Sequence, residues 1–284
     1  MVKIYADSTC DLGYEITKKH NIGILPLYVS LGKRTGKDGI DITPDDIYEW
    51  ADREKLTPKT AAFSPEDAME EMEKCKAAGD DMIFFGISEE MSASCNVVRL
   101  ASETLQYDSH VFVIDSRNLS TGIGLLVLEA VYMKEAGLNA AEIVHAVEDI
   151  IPRVRASFVV DTLTYLHRGG RCSSVTALLA NTLKLKPKIV VKDGKMDVDS
   201  KYRGKQSQVV MKYVQDLYPK LMNSEERNVF ITHSGIDKSI VDDVKTYLEN
   251  LNHFKNIIET RAGGVVSSHC GPGTLGVLFI EKWL

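Results

Sequence analysis

Little in these 284 residues points to a metal, a nucleotide, a membrane or a nucleic acid. The five cysteines (Cys10, Cys75, Cys95, Cys172 and Cys270) are odd in number and widely scattered, and no two have metal-ligand spacing. Reduced thiols are therefore expected rather than a disulfide framework. His20, His110, His145, His167 and His253 show no ligand spacing either, so no metal is expected. There is no G-x-x-x-x-G-K-[ST] loop, and Thr121-Gly122-Ile123-Gly124 lacks the third glycine and the preceding strand turn of a dinucleotide fingerprint. No cofactor is expected. No apolar run reaches membrane-spanning length, and Met1-Val2-Lys3-Ile4-Tyr5 runs straight into a strand pattern rather than a signal peptide. Those absences read as a cytoplasmic protein with no integral membrane segment. A basic excess is missing too: the net charge is −6 and the pI about 5.7, which argues against a nucleic-acid partner. An anionic ligand would have to be held by local donors against a weakly repelling global field.

What is present is the ordinary balance of a globular chain, 44% hydrophobic and 26% charged, long enough for a large core or two modest domains. In the first half, short apolar runs (Val2–Ala6, Ile24–Val29, Asp81–Gly86, His110–Ile114) alternate with helical patterns (Pro44–Glu54, Pro65–Ala78, Ser94–Thr104, Thr121–Ala136). Such alternation predicts an α/β fold with a parallel sheet covered by helices, and a ligand crevice at the carboxyl ends of the strands. Asp7-Ser8, Ser88 and Asp115-Ser116 all fall at such ends. A helix is expected over Ala140–Arg155, after which the character changes. Ser157–Val160 reads as a strand, and Thr162–Arg168 and Ser174–Thr182 as short helices. Lys188–Lys192 and Lys195–Lys201 flank Asp193-Gly194, a hairpin signal. Beyond it come a helix (Gln206–Leu221), a strand (Asn228–His233), a helix (Ser239–Leu251) and strands at Asn256–Thr260 and Leu275–Lys282. A hairpin amid helices predicts a mixed sheet, hence two domains, 1–156 and 157–284. No Gly/Ser linker, repeat or low-complexity tract divides them.

Chemistry concentrates in a few places. His269 stands directly before Cys270-Gly271-Pro272-Gly273, a turn whose shape is preset by glycine and proline. A histidine there can donate to an oxyanion or carry a proton near neutral pH. Cys270 reads as a packing residue, since neighbours on an extended backbone point apart. Thr60 lies in a loop before the helix opened by Pro65. Ser92 precedes the helix that starts at Ser94, where hydroxyls and unpaired N–H groups form a ready anion site; Ser is equally a common cap. Arg203, within Lys201-Tyr202-Arg203-Gly204-Lys205, offers a planar fork to carboxylate or phosphate, or is a solvated surface turn. His233 ends a strand and either lines the crevice or packs. Asp7, Ser8, Asp115 and Ser116 read as partners of backbone turns rather than acid–base machinery. Arg168 and Arg171, flanking Gly169-Gly170, form a basic exposed turn suited to steering a partner.

Tyr5-Ala6-Asp7-Ser8-Thr9-Cys10-Asp11-Leu12 resembles the D-S-x-x-D-L opening of the DegV family. Pro58-Lys59-Thr60 with Ser64, Ile87-Ser88 with Met91-Ser92, Asp115-Ser116, and Leu166 through Gly169-Gly170-Arg171 recur in family order. So do Tyr202-Arg203-Gly204-Lys205, Thr232-His233-Ser234-Gly235 and His269-Cys270-Gly271-Pro272-Gly273-Thr274. The likeness spans the whole chain. It implies a two-domain fold with the ligand between the domains, and a non-catalytic protein that binds a long-chain fatty acid. It also implies a partner, the catalytic subunit of a two-part fatty acid kinase. By the same resemblance Thr60 and Ser92 hydrogen-bond the carboxylate, with Arg203 and His269 nearby. The chain departs from the family pattern at Glu89-Glu90, Ala93 and Ala61-Ala62. Inward-facing acids would repel a carboxylate, whereas acids facing water beside a helix start are favourable. Two other readings stand beside this one: a stand-alone enzyme on a small carbonyl or phosphorylated ligand, similar to dihydroxyacetone kinases, and a lipid sensor.

Overall fold

The computed structural model describes residues 1–179 and 185–283. The first half runs β1 (Val2–Asp7), α1 (Gly13–Lys19), β2 (Gly23–Leu25), β3 (Tyr28–Leu31), β4 (Arg34–Lys37), α2 (Pro44–Glu54), β5 (Lys59–Ala61), α3 (Pro65–Ala78), β6 (Asp81–Gly86), α4 (Ser94–Thr104), β7 (Val111–Asp115), α5 (Thr121–Glu135) and α6 (Ala140–Ile150). The second half adds β8 (Val154–Val159), α7 (Thr164–Gly169), α8 (Thr176–Leu179), β9 (Lys186–Lys192), β10 (Lys195–Tyr202), α9 (Gln206–Asp216), α10 (Tyr218–Met222), β11 (Ser224–His233), α11 (Lys238–Asn250), β12 (Asn256–Arg261), α12 (Gly264–Cys270) and β13 (Leu275–Glu281).

Local chemistry explains several of these starts. Thr43 and Ser64 open α2 and α3 through capping boxes with Asp46 and Asp67, and Pro44 and Pro65 occupy the first helical turn, where a missing N–H costs nothing. The expected strand Ile24–Val29 divides at Pro26 into β2 and β3, which enter different sheets. The helix expected over Ala140–Arg155 stops at Ile150; a 3₁₀ turn containing Pro152 follows, and β8 has begun by Val154. Pro219 likewise separates α9 from α10. Of the helix expected over Ser174–Thr182, a 3₁₀ turn at Ser173–Val175 and α8 are present, and the remainder lies outside the described residues.

Three sheets result. A parallel four-stranded sheet has the order β2-β1-β6-β7, and a mixed six-stranded sheet the order β10-β9-β8-β13-β11-β12. A small antiparallel sheet, β4-β3-β5, escaped the sequence reading because its strands are three or four residues long. α5 packs against β1 and β6 of one large sheet and β8, β11 and β13 of the other. Its residues from Thr121 to Leu128 are all buried, as a helix between two sheets requires. One continuous core accordingly takes Ile4 and Phe85 from the first half and Phe158, Ile189, Phe230 and Leu278 from the second.

Two features bring the halves together at one place. The β9–β10 hairpin turns at Asp193 and Gly194, both at positive φ (50° and 80°), as a two-residue turn with matching twist demands. Its tip reaches the first half, where the Ser88 hydroxyl donates to Gly194 O (2.7 Å). α12 makes the opposite crossing and packs on α2, β3 and β5.

The mixed sheet is tied to α9 by Tyr213, whose hydroxyl donates to Ser157 O (2.7 Å) and accepts from Val277 N–H (3.0 Å). Tyr213→Phe leaves a buried carbonyl and a buried amide without that partner. It should destabilise the protein by about 1–3 kcal/mol, read as a lowered urea midpoint; an unchanged midpoint contradicts this.

Candidate functional site

A cavity of about 240 Å³ opens where the hairpin, α12, the small sheet and the α4 N-terminus meet. Its wall is largely apolar: Leu27, Ile87, Met91, Leu119 and Val266, with Met196 supplied by β10 of the hairpin. Thr60, Ser92, Arg171 and His269 supply its oxygen- and nitrogen-bearing side chains. Thr60 and Ser92 come from the first half of the chain, Arg171 and His269 from the second.

Thr60 is on β5 rather than in a loop, paired opposite Val29. Its Oγ1 lies 2.9 Å from His269 Nε2. His269 and Cys270 end α12, correcting the extended backbone expected there. Cys270 is buried in the main core, as a packing residue is. The turn behind them keeps its glycine requirement, with Gly271 and Gly273 at φ +73° and +77°. His269 is wedged against Gly169: a Cβ at that glycine would lie 2.3 Å from His269 Nδ1. The Gly169-Gly170 pair thus has two separate causes, room for an imidazole and a left-handed cap on α7 (Gly170 φ +69°).

His269 Nδ1 is enclosed and has no hydrogen-bond partner among the described residues. A bare lone pair is tolerated there better than an orphaned N–H. The geometry therefore favours the proton on Nε2, which donates to Thr60 Oγ1 and leaves the threonine hydroxyl free to donate into the cavity. Burial pulls the imidazole down to about 4, and the nearby positive charge of Arg171 adds to this. His269 is neutral at physiological pH and acts as a donor, not a cation.

Ser92 Oγ lies 2.9 Å from Ser94 Oγ, at the opening of α4. The positive end of the α4 dipole therefore borders the cavity. Ala93 sits at φ −87°, a conformation that makes no demand for glycine. Glu89 pairs with Arg99 (2.5 Å) and Glu90 with Lys195 (3.3 Å), both exposed and neither lining the cavity. The departures at these positions leave the polar cluster free of inward-facing acids.

Two expected placements change. Arg171 lines the cavity, braced by donation from Nη1 to Gly169 O (2.8 Å), and brings the positive charge that Arg203 was expected to bring. Arg203 follows the end of β10 and opens on a different cavity beside α9, with Lys201 and Lys212. The signal for Arg171 was the adjacent glycine pair, which fixes the turn it leaves. Arg168 is exposed and reaches Thr57 Oγ1 (3.4 Å). His233 borders a smaller cavity behind Leu119 and Cys270. Asp7, Asp115 and Ser116 accept backbone N–H groups of Ile87, Arg117 and Asn118, the turn roles expected of them. No helix among the described residues is long and apolar enough to cross a membrane.

Known proteins share this fold. The family model described as "Uncharacterised protein, DegV family" matches residues 1–282. A DegV domain-containing protein of Clostridium acetobutylicum is 32% identical over 286 residues, 99% of each chain. One from Caldanaerobacter subterraneus is 30% identical over 283 residues, again 99% of each. Among solved structures, a fatty-acid-binding DegV family protein from Thermus thermophilus superposes with a TM-score of 0.90 at 26% identity, covering 99% of both chains. A stearic-acid-binding protein from Eubacterium ventriosum gives 0.86 at 29% identity with the same coverage.

The protonation state of His269 can be measured. An imidazole depressed by burial is neutral in the folded protein down to about pH 4, while the unfolded chain takes up a proton near 6.5. Its contribution to stability is therefore fully present above pH 6.5 and lost as the pH falls toward 4. By NMR the ring should titrate near 4 in the native protein. In Arg171→Gln it should titrate higher, yet still below 6.5 because burial remains. A native-protein midpoint near 6.5 contradicts the assignment.

Proposed function

The chain belongs to the DegV family, and from that premise we propose that it binds a long-chain fatty acid, tail in the apolar cavity and carboxylate against Thr60, Ser92, His269 and Arg171. The observation that carries this reading is the composition of the cavity wall: one cluster of donors set in an otherwise aliphatic lining. A small polar substrate would leave Leu27, Ile87, Met91 and Met196 unsatisfied, which weighs against a stand-alone enzyme on a small carbonyl ligand. Each buried methylene contributes roughly 0.8 kcal/mol, so the tail sets affinity and the donors set orientation. A smaller cavity of about 20 Å³, lined by Phe158 and Leu278, lies behind Leu119, Val266 and Cys270. The solved relatives that bind fatty acids share the fold over 99% of this chain.

The finer reading is that the protein presents the carboxylate to a separate kinase subunit. There a carboxylate oxygen attacks the terminal phosphorus of ATP, the bond to the bridging oxygen breaks, and ADP leaves with that electron pair. The donors that hold the carboxylate also suit the more negative acyl phosphate. Arg203 with Lys201 and Lys212, together with Arg168, are exposed cations on an acidic protein and suit an acidic partner surface.

Binding of hexadecanoic acid and hexadecanol, compared by calorimetry, tests the headgroup site. Thr60→Ala and Ser92→Ala should each weaken the acid by about 1–3 kcal/mol, and the alcohol by less, since it carries no charge. Equal losses for both ligands would show that the carboxylate is bound elsewhere. For the kinase reading, Arg203→Ala should keep acid binding and lower acyl-phosphate formation with a fatty acid kinase catalytic subunit and ATP. Full turnover by this chain and ATP alone would overturn the carrier reading.

A further inference from the structure

α12 is only seven residues long, and its N-cap is Gly263, which has no side chain to satisfy the first-turn N–H groups. Those groups are met from far away in sequence. Gly263 N–H donates to Asp11 Oδ1 (2.7 Å) and Gly264 N–H to Asp38 Oδ1 (2.6 Å). Both carboxyls are buried. The glycines allow the approach: a Cβ at Gly264 would lie 2.7 Å from Asp38 Oδ1.

We propose that Asp11 and Asp38 are positioning residues for ligand recognition, anchoring the start of α12 so that its end holds His269 against Thr60. The proposal rests on the fatty-acid reading above for what His269 recognises. The second oxygen of each carboxyl extends the brace to other parts of the cavity wall. Asp11 Oδ2 accepts from Ser120 Oγ, next to Leu119 in the wall. Ser120 stands at φ 52°, ψ −144°, a backbone region that few non-glycine residues occupy and that surrounding contacts must enforce. Asp38 Oδ2 accepts from Ser8 Oγ (2.8 Å), and that same hydroxyl oxygen accepts from the N–H of Leu27, another wall residue (3.1 Å). Asp38 N–H in turn donates to Leu27 O (2.8 Å). Two buried acids therefore fix α12, the Leu119 segment and the Leu27 segment relative to one another.

The lever is short. His269 lies five residues beyond Gly264, roughly 7.5 Å along the axis, so a small rotation at the anchored end is enough to spoil the 2.9 Å contact with Thr60. Burial pushes the Asp11 carboxyl up to about 8 and raises that of Asp38. Asparagine keeps the oxygen that accepts from the Gly263 or Gly264 N–H, and the serine facing its amide group can turn its hydroxyl to accept instead of donate, so asparagine should replace either acid where alanine cannot.

The experiment measures dissociation constants for hexadecanoic acid and hexadecanol on the full chain carrying Asp38→Ala, Asp38→Asn, Asp11→Ala or Asp11→Asn, each also in a His269→Ala background. The alanine variants should bind the acid about 10-fold more weakly with the alcohol changed by less than about 2-fold, and the asparagine variants should recover most of the loss. In the His269→Ala background the aspartate substitutions should add nothing further for the acid. Equal losses for acid and alcohol, no rescue by asparagine, or additive losses in the double variants would each overturn the proposal. If the alanine variants do not fold, Gly264→Ala crowds Asp38 Oδ1 from the other side and gives the same readout. If the parent protein binds neither ligand, the fatty-acid reading fails separately. The brace is then read from the His269 ¹⁵N signals: loss of the Nε2 hydrogen bond in Asp38→Ala and its retention in Asp38→Asn support it, and an unchanged spectrum in both overturns it.

Discussion

The contact between Thr60 Oγ1 and His269 Nε2 joins residues 209 positions apart and closes the polar end of the cavity. Each partner sits where it does for its own reasons. Thr60 is fixed by an edge strand paired to β3, His269 by the last turn of a helix that crosses from the second half. Burial keeps the imidazole uncharged, so the pair stays a chain of neutral donors instead of an ion that would demand a counter-charge in an apolar wall. The positive charge the site needs is supplied separately by Arg171, an exposed guanidinium held to the backbone of Gly169. Donor and charge are thus divided between two side chains that both meet Gly169, His269 packed against its Cα and Arg171 bonded to its carbonyl.

That division suits an amphipathic ligand. The aliphatic lining is drawn from the hairpin, α12, the Leu119 segment and the loop around Met91, so the cavity exists only when both halves of the chain are docked. The docking is itself polar and specific: Ser88 meets the hairpin tip at Gly194, and Lys195 meets Glu90 nearby. Glu90 was a candidate obstacle to an anionic ligand. In the fold it pairs with Lys195 at the surface and is not part of the cavity lining.

Sequence pattern carried the long elements because their signals are local. Capping boxes and prolines mark the starts of α2 and α3, and the Asp193-Gly194 dipeptide marks the hairpin. What it did not carry were features whose cause is tertiary. β4 and β5 are too short for a readable period, so the sequence pattern alone puts Thr60 in a loop. α12 has two glycines at its start and caps borrowed from Asp11 and Asp38, and nothing within its own sequence announces a helix. At the site, Thr60, Ser92 and His269 do come together around one cavity. Arg171 lines this cavity and Arg203 a different one, because their distance from it depends on how β10 and α7 pack, which no local motif encodes.

The central claim is that this cavity is built for a fatty acid held by its carboxylate. Native mass spectrometry of the purified protein, with extraction and identification of whatever is released on unfolding, tests it most directly. The account predicts a one-to-one complex whose extracted ligand is a long-chain carboxylic acid, and a fall in its occupancy when Thr60, Ser92 and Arg171 are replaced together by alanine. A protein that carries no lipid after expression and takes up none when hexadecanoic acid is added would contradict it.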